Sequence, residues 1–280
     1  MLRPVEESTG KQHITVAIWG GPKAGKSLTA LRIAKGLANG ERFAVLDTER
    51  NGMLMYRHYG GFDVDTDMVD FSPKSYLAWI AQYDGKYPVL VIDSLTHEWQ
   101  GKGGVLEIAD RVGKSNQGSP FGGWKIASPM HTEFIDALLQ CRSHLICTMR
   151  SRTQWEIITN DKGKKQPVEV GTEAIQRDGT TYEFDLLLTI DTPGTAHLRV
   201  HGSRLYCADG SNLFAPGYEA NMVGEEFGQQ LRDWLHSEGG NRMAILAEAA
   251  MRKFGPEKAQ LLLASVTDPD QLQQILDSRG

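Results

Sequence analysis

The sequence has few cysteines and lacks any long apolar run. Its 280 residues include three cysteines, Cys141, Cys147 and Cys207, and their number and spacing match no metal motif. No apolar stretch approaches the ~20 residues that are needed to span a bilayer, and the polar first residues lack the apolar centre of a signal peptide. We therefore expect reduced thiols, no membrane partner and a cytoplasmic location.

An excess of positive charge is also missing. Lysine and arginine total 30 against 35 aspartate and glutamate residues, which gives a formal net charge of −5. This balance excludes a protein that binds nucleic acid through its overall charge, so any such partner must be held by a local patch or loop. The length suffices for one large α/β domain with a small appendage, or for two modest domains.

Strand and helix patterns alternate along most of the chain. "HITVAIW" is typical of a strand, "SLTALRIAKGLANG" of an amphipathic helix, and "RFAVLDTE" and "DMVDFS" of further strands. "PVLVIDSLTHEW" and "SHLICTMRSR" are apolar enough to be strands buried on both faces of a parallel sheet. The order predicts an α/β fold with a doubly wound, mostly parallel sheet. We expect a polar leader at 1–13, a core at 14–215 and a small C-terminal helical region at 216–280.

A glycine-rich turn joins the first predicted strand to the first predicted helix. It fits the pattern G-x-x-x-x-G-K-[ST], in which backbone N–H groups bind phosphate oxygens, the lysine reaches the β- and γ-phosphates and the hydroxyl ligates Mg²⁺. The positive end of the helix dipole adds to this attraction. We expect the turn to bind ATP with Mg²⁺ through Gly20, Gly21, Pro22, Lys23, Ala24, Gly25, Lys26, Ser27 and Leu28.

Two acids follow buried strands and suit the chemistry of a hydrolase. Asp93 ends "VLVID" and is expected to hold the magnesium shell opposite Ser27. Glu49, just past "FAVLD", is the candidate base that orients the attacking water, and Asp47 is placed to orient Glu49 or a water. Glu98 is the alternative base, because it follows Asp93 closely along the chain.

The three segments "GGPKAGKS", "LDTE" and "LVIDS" resemble the RecA-type core of P-loop ATPases. A longer likeness, over about residues 14–214, includes "IDSLTHEWQGKGGVLE" and "PFGGWKIASPMHTEFIDALLQCRSHLICTMRSRTQWE" and is similar to the phage-encoded nucleotide-binding ATPases of RecA-like fold. The resemblance implies a RecA-like P-loop NTPase core, with Glu49 as the base and Asp93 and Ser94 on the magnesium side. Some members of that family act in homologous recombination and single-strand annealing beside a phage single-strand DNA-binding protein, which implies the same partner and a bacterial host cytoplasm here.

The same resemblance points to a sensor of the γ-phosphate. The strand "HLICTMR" ends where related proteins place such a polar group, for which Thr148 and Arg150 are the candidates and Arg152 is the alternative. An arginine at this place stabilises the charge on the phosphate oxygens. The expected catalytic set is Lys26, Glu49, Asp93 and Arg150.

A late strand offers a contact to a second subunit. Related proteins carry a lysine and an arginine two residues apart in this strand, available to the nucleotide of a neighbouring subunit. Arg204 stands at one of these positions, whereas Gly202 occupies the place of the lysine. We expect Arg204 alone to serve as a trans finger, which implies a homo-oligomer.

A basic segment with an aromatic residue lies between the sensor strand and "TYEFDLLLTID". The stretch "WEIITNDKGKKQPVEV" predicts a hairpin, at the place where RecA-type recombinases contact single-stranded DNA. Such a partner needs basic side chains for its phosphates and aromatic rings for base stacking. The candidate contacts are Arg152, Trp155, Lys162, Lys164, Lys165 and Arg177. A solvated hairpin with a lysine-rich tip is the alternative, since several acids dilute the charge.

The sequence thus favours a magnesium-dependent ATPase that acts on single-stranded DNA in phage recombination or annealing. A P-loop kinase of a small molecule is one alternative, although no arginine-rich lid follows Asp93. A non-catalytic nucleotide-dependent switch or assembly factor is the other alternative, and it predicts tight binding with slow turnover.

Overall fold

The computed structural model describes residues 13–115, 120–159, 164–191, 196–207, 210–236, 242–266 and 269–278. Most of the expected leader and Lys162 of the expected hairpin lie outside these ranges. Within them, no helix combines the length with the apolar character that a membrane crossing requires.

One sheet of nine strands organises the described part of the chain. Its strands are β1 (Thr15–Gly20), β2 (Phe43–Asp47), β3 (Phe62–Asp65), β4 (Val89–Asp93), β5 (His144–Thr159), β6 (Lys165–Ala174), β7 (Leu186–Ile190), β8 (His197–Ser203) and β9 (Glu219–Asn221). The order across the sheet is β3-β2-β4-β5-β1-β7-β8-β9, and β6 pairs with β5. The six strands β3, β2, β4, β5, β1 and β7 are parallel to one another. Strand β6 pairs antiparallel with β5, β8 with β7, and β9 with β8.

Helices cover both faces of this sheet. They are α1 (Lys26–Ala38), α2 (Pro73–Tyr83), α3 (Thr96–Gln100), α4 (Val105–Ser115), α5 (Pro120–Leu139), α6 (Glu225–Trp234), α7 (Arg242–Phe254), α8 (Pro256–Ser265) and α9 (Pro269–Asp277). Side chains of α1 and α6 share one core cluster with the sheet, and those of α2 and α5 share another on the opposite face. α4 packs on α5, while α7, α8 and α9 pack on one another around a small separate cluster.

Strand β1 shows why the sheet needs two helical layers. Val16 and Ile18 lie in the cluster with α1, whereas Ala17 and Trp19 lie in the cluster with α2 and α5. All four side chains are at most 3% exposed, and a strand that is apolar on both faces is stable only between two covering layers. The predicted α/β fold with a doubly wound, mostly parallel sheet is confirmed.

The parallel register brings several strand ends to one edge of the sheet. Gly20 at the end of β1 pairs with Arg150 of β5, and Asp47 at the end of β2 pairs with Asp93 at the end of β4. Because these strands run in the same direction, the residues that follow them meet at this edge. The candidate site is built there.

The structure departs from the sequence analysis at one sheet edge. The outermost strand is β3, Phe62–Asp65, and the predicted strand "DMVDFS" is wrong. After β3 the Asp65 carboxylate accepts a hydrogen bond from the backbone N–H of Asp67 at 3.0 Å, which turns the chain. Ser72 then caps α2 by accepting from the Ser75 N–H. Local side-chain hydrogen bonds therefore replaced the strand that the alternation suggested.

The central sheet and the helical layer that packs on it both include residues past 216. Strand β9 pairs with β8, and α6 crosses α1 in backbone contact. A methyl group at Gly228 of α6 would lie 2.1 Å from the Ile33 carbonyl oxygen, and one at Gly36 of α1 would lie 2.0 Å from the Glu225 carbonyl oxygen. Two glycines thus let these helices approach more closely than any other residue would allow.

Candidate nucleotide-binding site

The glycine-rich turn leaves β1 and enters α1 at the carboxyl edge of the sheet. Lys23 and Gly25 adopt positive φ angles of 59° and 108°, so the backbone curls before the helix begins. A methyl group at Gly20 would lie 2.2 Å from the Ile190 carbonyl oxygen, which requires glycine beside β7. Pro22 and Lys23 are exposed at the tip of this turn, while Ala24 is buried beneath it.

Lys26 begins α1 and folds over the turn. Its ammonium donates to the carbonyl oxygens of Gly20 at 3.0 Å and Gly21 at 2.8 Å. Burial lowers the pKa of Lys26, and the charges of Asp93 and Glu49 act in the opposite direction. The first turn of α1 contains no acidic side chain, so its N–H groups face no competing carboxylate of their own helix.

Asp93 ends β4 and is held by hydroxyl groups from two neighbouring elements. Ser27 Oγ donates to Asp93 Oδ2 at 2.7 Å, and Thr148 Oγ1 of β5 donates to Oδ1. Burial raises the pKa of Asp93, which is 2% exposed, although these two hydrogen bonds act to lower it. A cation beside this carboxylate would favour its ionised form.

The donors around Asp93 fit a magnesium ion. Ser27 and Asp93 offer hydroxyl and carboxylate oxygens, which are the hard ligands that Mg²⁺ prefers. The buried Ser94 Oγ has no hydrogen-bond partner among the described residues, so the same strand end carries one more uncommitted oxygen. No group of three or more His, Cys, Asp or Glu side chains in the described ranges is placed to hold a metal, so phosphate and water would have to complete the shell.

Glu49 lies just past β2, in a turn that Asp47 fixes. Asp47 Oδ1 accepts from the Glu49 N–H and Oδ2 accepts from the Met53 N–H, both at 2.8 Å. Glu49 forms a two-pronged pair with Arg150, from Nε to Oε1 at 3.0 Å and from Nη2 to Oε2 at 2.7 Å. Burial alone would raise the pKa of Glu49, but the Arg150 hydrogen bonds and charge, with His97 and Lys26, hold it below its usual value.

Arg150 connects three elements of the site. Its backbone N–H donates to Thr96 Oγ1 at the start of α3 at 2.9 Å, and its guanidinium reaches both Glu49 and His97. Ser27, next to Lys26, donates to Asp93, and Arg150 contacts Glu49 and lies opposite Gly20 of the turn. The structure therefore brings the expected catalytic set to one edge of the sheet. Thr148, the other sensor candidate, donates its hydroxyl hydrogen bond to Asp93.

The alternative base, Glu98, lies in a different environment. Its side chain is fully buried, His131 Nδ1 lies 3.0 Å from Oε1, and Gln176 Nε2 donates to Oε2 at 3.1 Å. These contacts connect α3 to α5 and to Gln176, two residues past the end of β6. They leave Glu98 as a buried structural carboxylate, and Glu49 as the acid that shares the edge with Lys26.

The predicted hairpin is present as β5 and β6, and its candidate residues fall into two groups. Trp155 is 59% exposed and its strand neighbour Ile157 is 73% exposed, while Lys164 and Lys165 are exposed near the tip. The other group, at the base, consists of Arg152, which pairs with Glu173 at 2.7 Å and Asp178 at 3.9 Å, and Arg177, which is half-buried. Ile157 and Ile158, which is 41% exposed, are exposed apolar residues of β5 that the sequence analysis did not single out; Ile157 alternates with Trp155.

Arg204 lies at the far end of the sheet from the phosphate-binding turn. It follows β8, where its N–H donates to the Asp185 carbonyl oxygen and its guanidinium donates to the Tyr182 carbonyl oxygen. Asp185 itself accepts from Thr15 at the start of β1. Arg204 is therefore placed away from the site of its own chain.

The strand order, the glycine-rich turn with Lys26 and the oxygen donors around Asp93 define an α/β P-loop nucleotide-binding protein. The profile of the AAA domain family matches residues 12–216, and the chain belongs to that family. Among solved structures, the crystal structure of the RadB recombinase is similar, with 17% identity, a TM-score of 0.42, and 76% of this chain and 87% of that chain covered. A likeness of this extent says nothing about activity or partners. No curated protein matches the sequence.

Proposed function

We propose that the protein is a magnesium-dependent ATPase that acts on single-stranded DNA in phage recombination or annealing. The observation that carries the hydrolytic part is the position of Glu49. It follows β2 at the edge where Asp47 pairs with Asp93, and it is held by Arg150, which lies opposite Gly20 of the turn. A phosphate-binding turn explains binding only, whereas an acid beside it supplies a group that orients water. The DNA part depends on the resemblance to phage ATPases and on the exposed hairpin.

The chain's own groups divide the work of hydrolysis. The N–H groups of the turn and the Lys26 ammonium bind the β- and γ-phosphates of ATP. Ser27 and Asp93 would hold Mg²⁺, which neutralises charge on the phosphate oxygens when it is bound. Glu49 accepts a hydrogen bond from the attacking water, and Arg150 donates to the γ-phosphate as its charge spreads.

The Glu49–Arg150 pair couples these roles. Both oxygens of Glu49 accept from Arg150. Each oxygen keeps a further lone pair for water, but the guanidinium lowers the pKa of Glu49 and so weakens it as a base while the pair lasts. A guanidinium that turns toward the γ-phosphate releases Glu49 in the same movement. Binding of the third phosphate would thereby free the base, which links hydrolysis to a correctly bound triphosphate.

A pair of glutamate variants tests the hydrolytic role. We expect Glu49→Gln to lower kcat by ~10²-fold or more, the usual effect of losing a general base, while a fluorescent ATP analogue still binds. Glu133→Gln, an exposed glutamate on α5, is the matched control and should keep the native rate. A Glu49→Gln variant with native kcat would exclude Glu49 as the base.

The hairpin is the proposed DNA contact. Exposed Trp155 offers a stacking surface, and Lys164 and Lys165 lie near the tip of the same hairpin. We expect Trp155→Ala to weaken binding of a fluorescent oligonucleotide about tenfold, since each stacked base is worth roughly 1–3 kcal/mol. Charge reversal of both lysines should also flatten the salt dependence of binding. Tyr182→Ala, an exposed aromatic at the far end of the sheet, is the control; equal losses in both aromatic variants would reject the hairpin as the contact.

A nucleotide-dependent switch is the second candidate, because Arg150 engages both oxygens of the base. Hydrolysis measured with and without single-stranded DNA separates the two. DNA stimulation that disappears in Glu49→Gln supports the ATPase, and tight nucleotide binding with slow, DNA-independent turnover supports the switch. Transfer of phosphate to a small acceptor would instead identify a kinase.

We also propose that copies of the chain assemble on DNA, beside a phage single-strand DNA-binding protein in the cytoplasm of a bacterial host. Arg204 would then reach the nucleotide of a neighbouring subunit. A mixing experiment tests this contact: Glu49→Gln and Arg204→Ala should each be inactive alone and should regain activity when combined. Native activity of Arg204→Ala alone would reject a trans finger.

A further inference from the structure

A continuous chain of hydrogen bonds connects the end of β4 with Arg150. Thr48 Oγ1 accepts from the Ser94 N–H at 2.8 Å and donates to the Ser94 carbonyl oxygen at 3.2 Å. His97 Nδ1 lies 2.7 Å from the same hydroxyl oxygen, and His97 Nε2 lies 2.9 Å from Arg150 Nη2. The imidazole thus spans the gap between the strand ends and the guanidinium.

The chemistry of the partners determines where the protons of this chain lie. A guanidinium carries donors only, so Arg150 Nη2 donates and His97 Nε2 must accept. The ring proton then resides on Nδ1 and is donated to Thr48 Oγ1, whose own hydrogen goes to the Ser94 carbonyl. Every donor therefore meets an acceptor, which assigns a neutral imidazole in the Nδ1–H tautomer.

His97 is the second acceptor for one nitrogen of Arg150. Nη2 carries two hydrogens; one is directed to Glu49 Oε2 at 2.7 Å and the other to His97 Nε2 at 2.9 Å. The two-pronged pair with Glu49 and the contact with His97 together fix the guanidinium plane. When Glu49 is released, the imidazole still holds Arg150 at the site.

We propose that His97 is a positioning residue that holds Arg150 for the γ-phosphate through the lone pair of Nε2. The proposal rests on the proposed ATPase function, in which Arg150 donates to that phosphate. It gives the histidine of "THEW" a role that composition and spacing did not indicate. It also predicts that an imidazolium cannot serve, because a protonated Nε2 would point an N–H at the guanidinium.

The surroundings of His97 favour the neutral ring. Burial lowers its pKa; the Glu49 carboxylate, 4.0 Å away, acts to raise it, while Arg150 and Arg50 lower it further. The Phe71 ring stacks on the imidazole at 5.0 Å between centroids. The neutral acceptor is therefore retained below the pH at which a solvated histidine becomes charged.

Two amide variants separate the two ring nitrogens. Glutamine places an amide oxygen near the position of Nε2, so His97→Gln can still accept from Arg150; asparagine reaches only the position of Nδ1, so His97→Asn can contact Thr48 but not Arg150. We expect kcat to fall about tenfold in His97→Asn with little change in KM, and most of this loss to be recovered in His97→Gln. The acidic limb of the native pH–rate profile should move in His97→Gln. Equal kcat values in the two variants, at equal melting temperatures, would overturn the proposal.

A second measurement does not depend on hydrolysis. Two-bond ¹H–¹⁵N correlation spectra of histidine rings report which nitrogen carries the proton, and His97→Gln identifies the signal. We expect the Nδ1–H tautomer in the native protein and a shift toward Nε2–H in Arg150→Ala. An Nε2–H tautomer in the native protein would refute the proposal even in an active ATPase. The expected tautomer in a protein that does not hydrolyse ATP would confirm the hydrogen-bond chain and reject the proposed activity.

Discussion

The crossing of α1 and α6 yields a sharp prediction for Gly228→Ala. The added methyl group would lie 2.1 Å from the Ile33 carbonyl oxygen, whereas an ordinary carbon–oxygen contact is ~3.3 Å or longer. The helices must therefore separate by about 1 Å at their point of closest approach. Overpacking of this kind costs ~1–3 kcal/mol or more, while alanine gains only about 1 kcal/mol of helix propensity over glycine. The difference of these values is about 0–2 kcal/mol, and we expect a net loss near its upper end, about 2 kcal/mol, because the obstacle is backbone on both sides.

Urea denaturation of the native and Gly228→Ala proteins measures this loss as a lower midpoint at unchanged slope. Gln230→Ala, on the exposed side of the same helix, is the control and should change stability by less than ~0.5 kcal/mol. Gly36→Ala should resemble Gly228→Ala, and the double variant should lose less than the sum because both methyl groups push the same helices apart. A Gly228→Ala protein as stable as the native one would refute the backbone contact between α6 and α1.

Two further predictions concern the turn after β2 and the thiols. Asp47→Asn should lower stability by ~1–3 kcal/mol and reduce kcat, because the amide nitrogen would face a backbone N–H of Glu49 or Met53. Denaturation measures the stability and steady-state kinetics measures kcat. An unchanged kcat would contradict the role of Asp47 in placing Glu49. In the folded protein a thiol reagent should modify Cys207, which is half-buried, well before Cys147, whose pKa burial raises strongly. The fast phase of thiol modification should disappear in Cys207→Ser. A fast phase that persists in this variant would exclude the expected order.

The phosphate-binding turn was predictable because its information is local. A strand, a glycine-rich turn and a helix follow one another within the segment Thr15–Ala38, and each element has its own pattern. Asp93 was predictable for a related reason, since an acid at the end of a fully apolar strand must lie at the carboxyl edge of a parallel sheet. The doubly wound fold followed from the same apolar strands.

The partners of these residues required the register of the whole sheet. Thr148 reaches Asp93, and Arg150 reaches Glu49, only because β5 lies between β4 and β1. No local pattern encodes that order. Glu98 illustrates the same limit, because one turn of α3 directs it away from the edge and into contact with His131, far along the chain. The missed contact of α6 with α1 depends on two glycines that carry no periodic signal.

The length of strand β5 determines which face of the hairpin carries Trp155 and Ile157. Its sixteen residues, His144–Thr159, run without interruption from the central sheet into the hairpin, and side chains along a strand alternate between faces. One residue inserted between Arg150 and Ser151 would therefore turn Trp155 and Ile157 to the opposite face of the hairpin, whereas an insertion of two would restore it. An even insertion would thus keep Trp155 and Ile157 on their face and move them outward by about 3.3 Å per residue, whereas an odd insertion would invert the face that the hairpin presents.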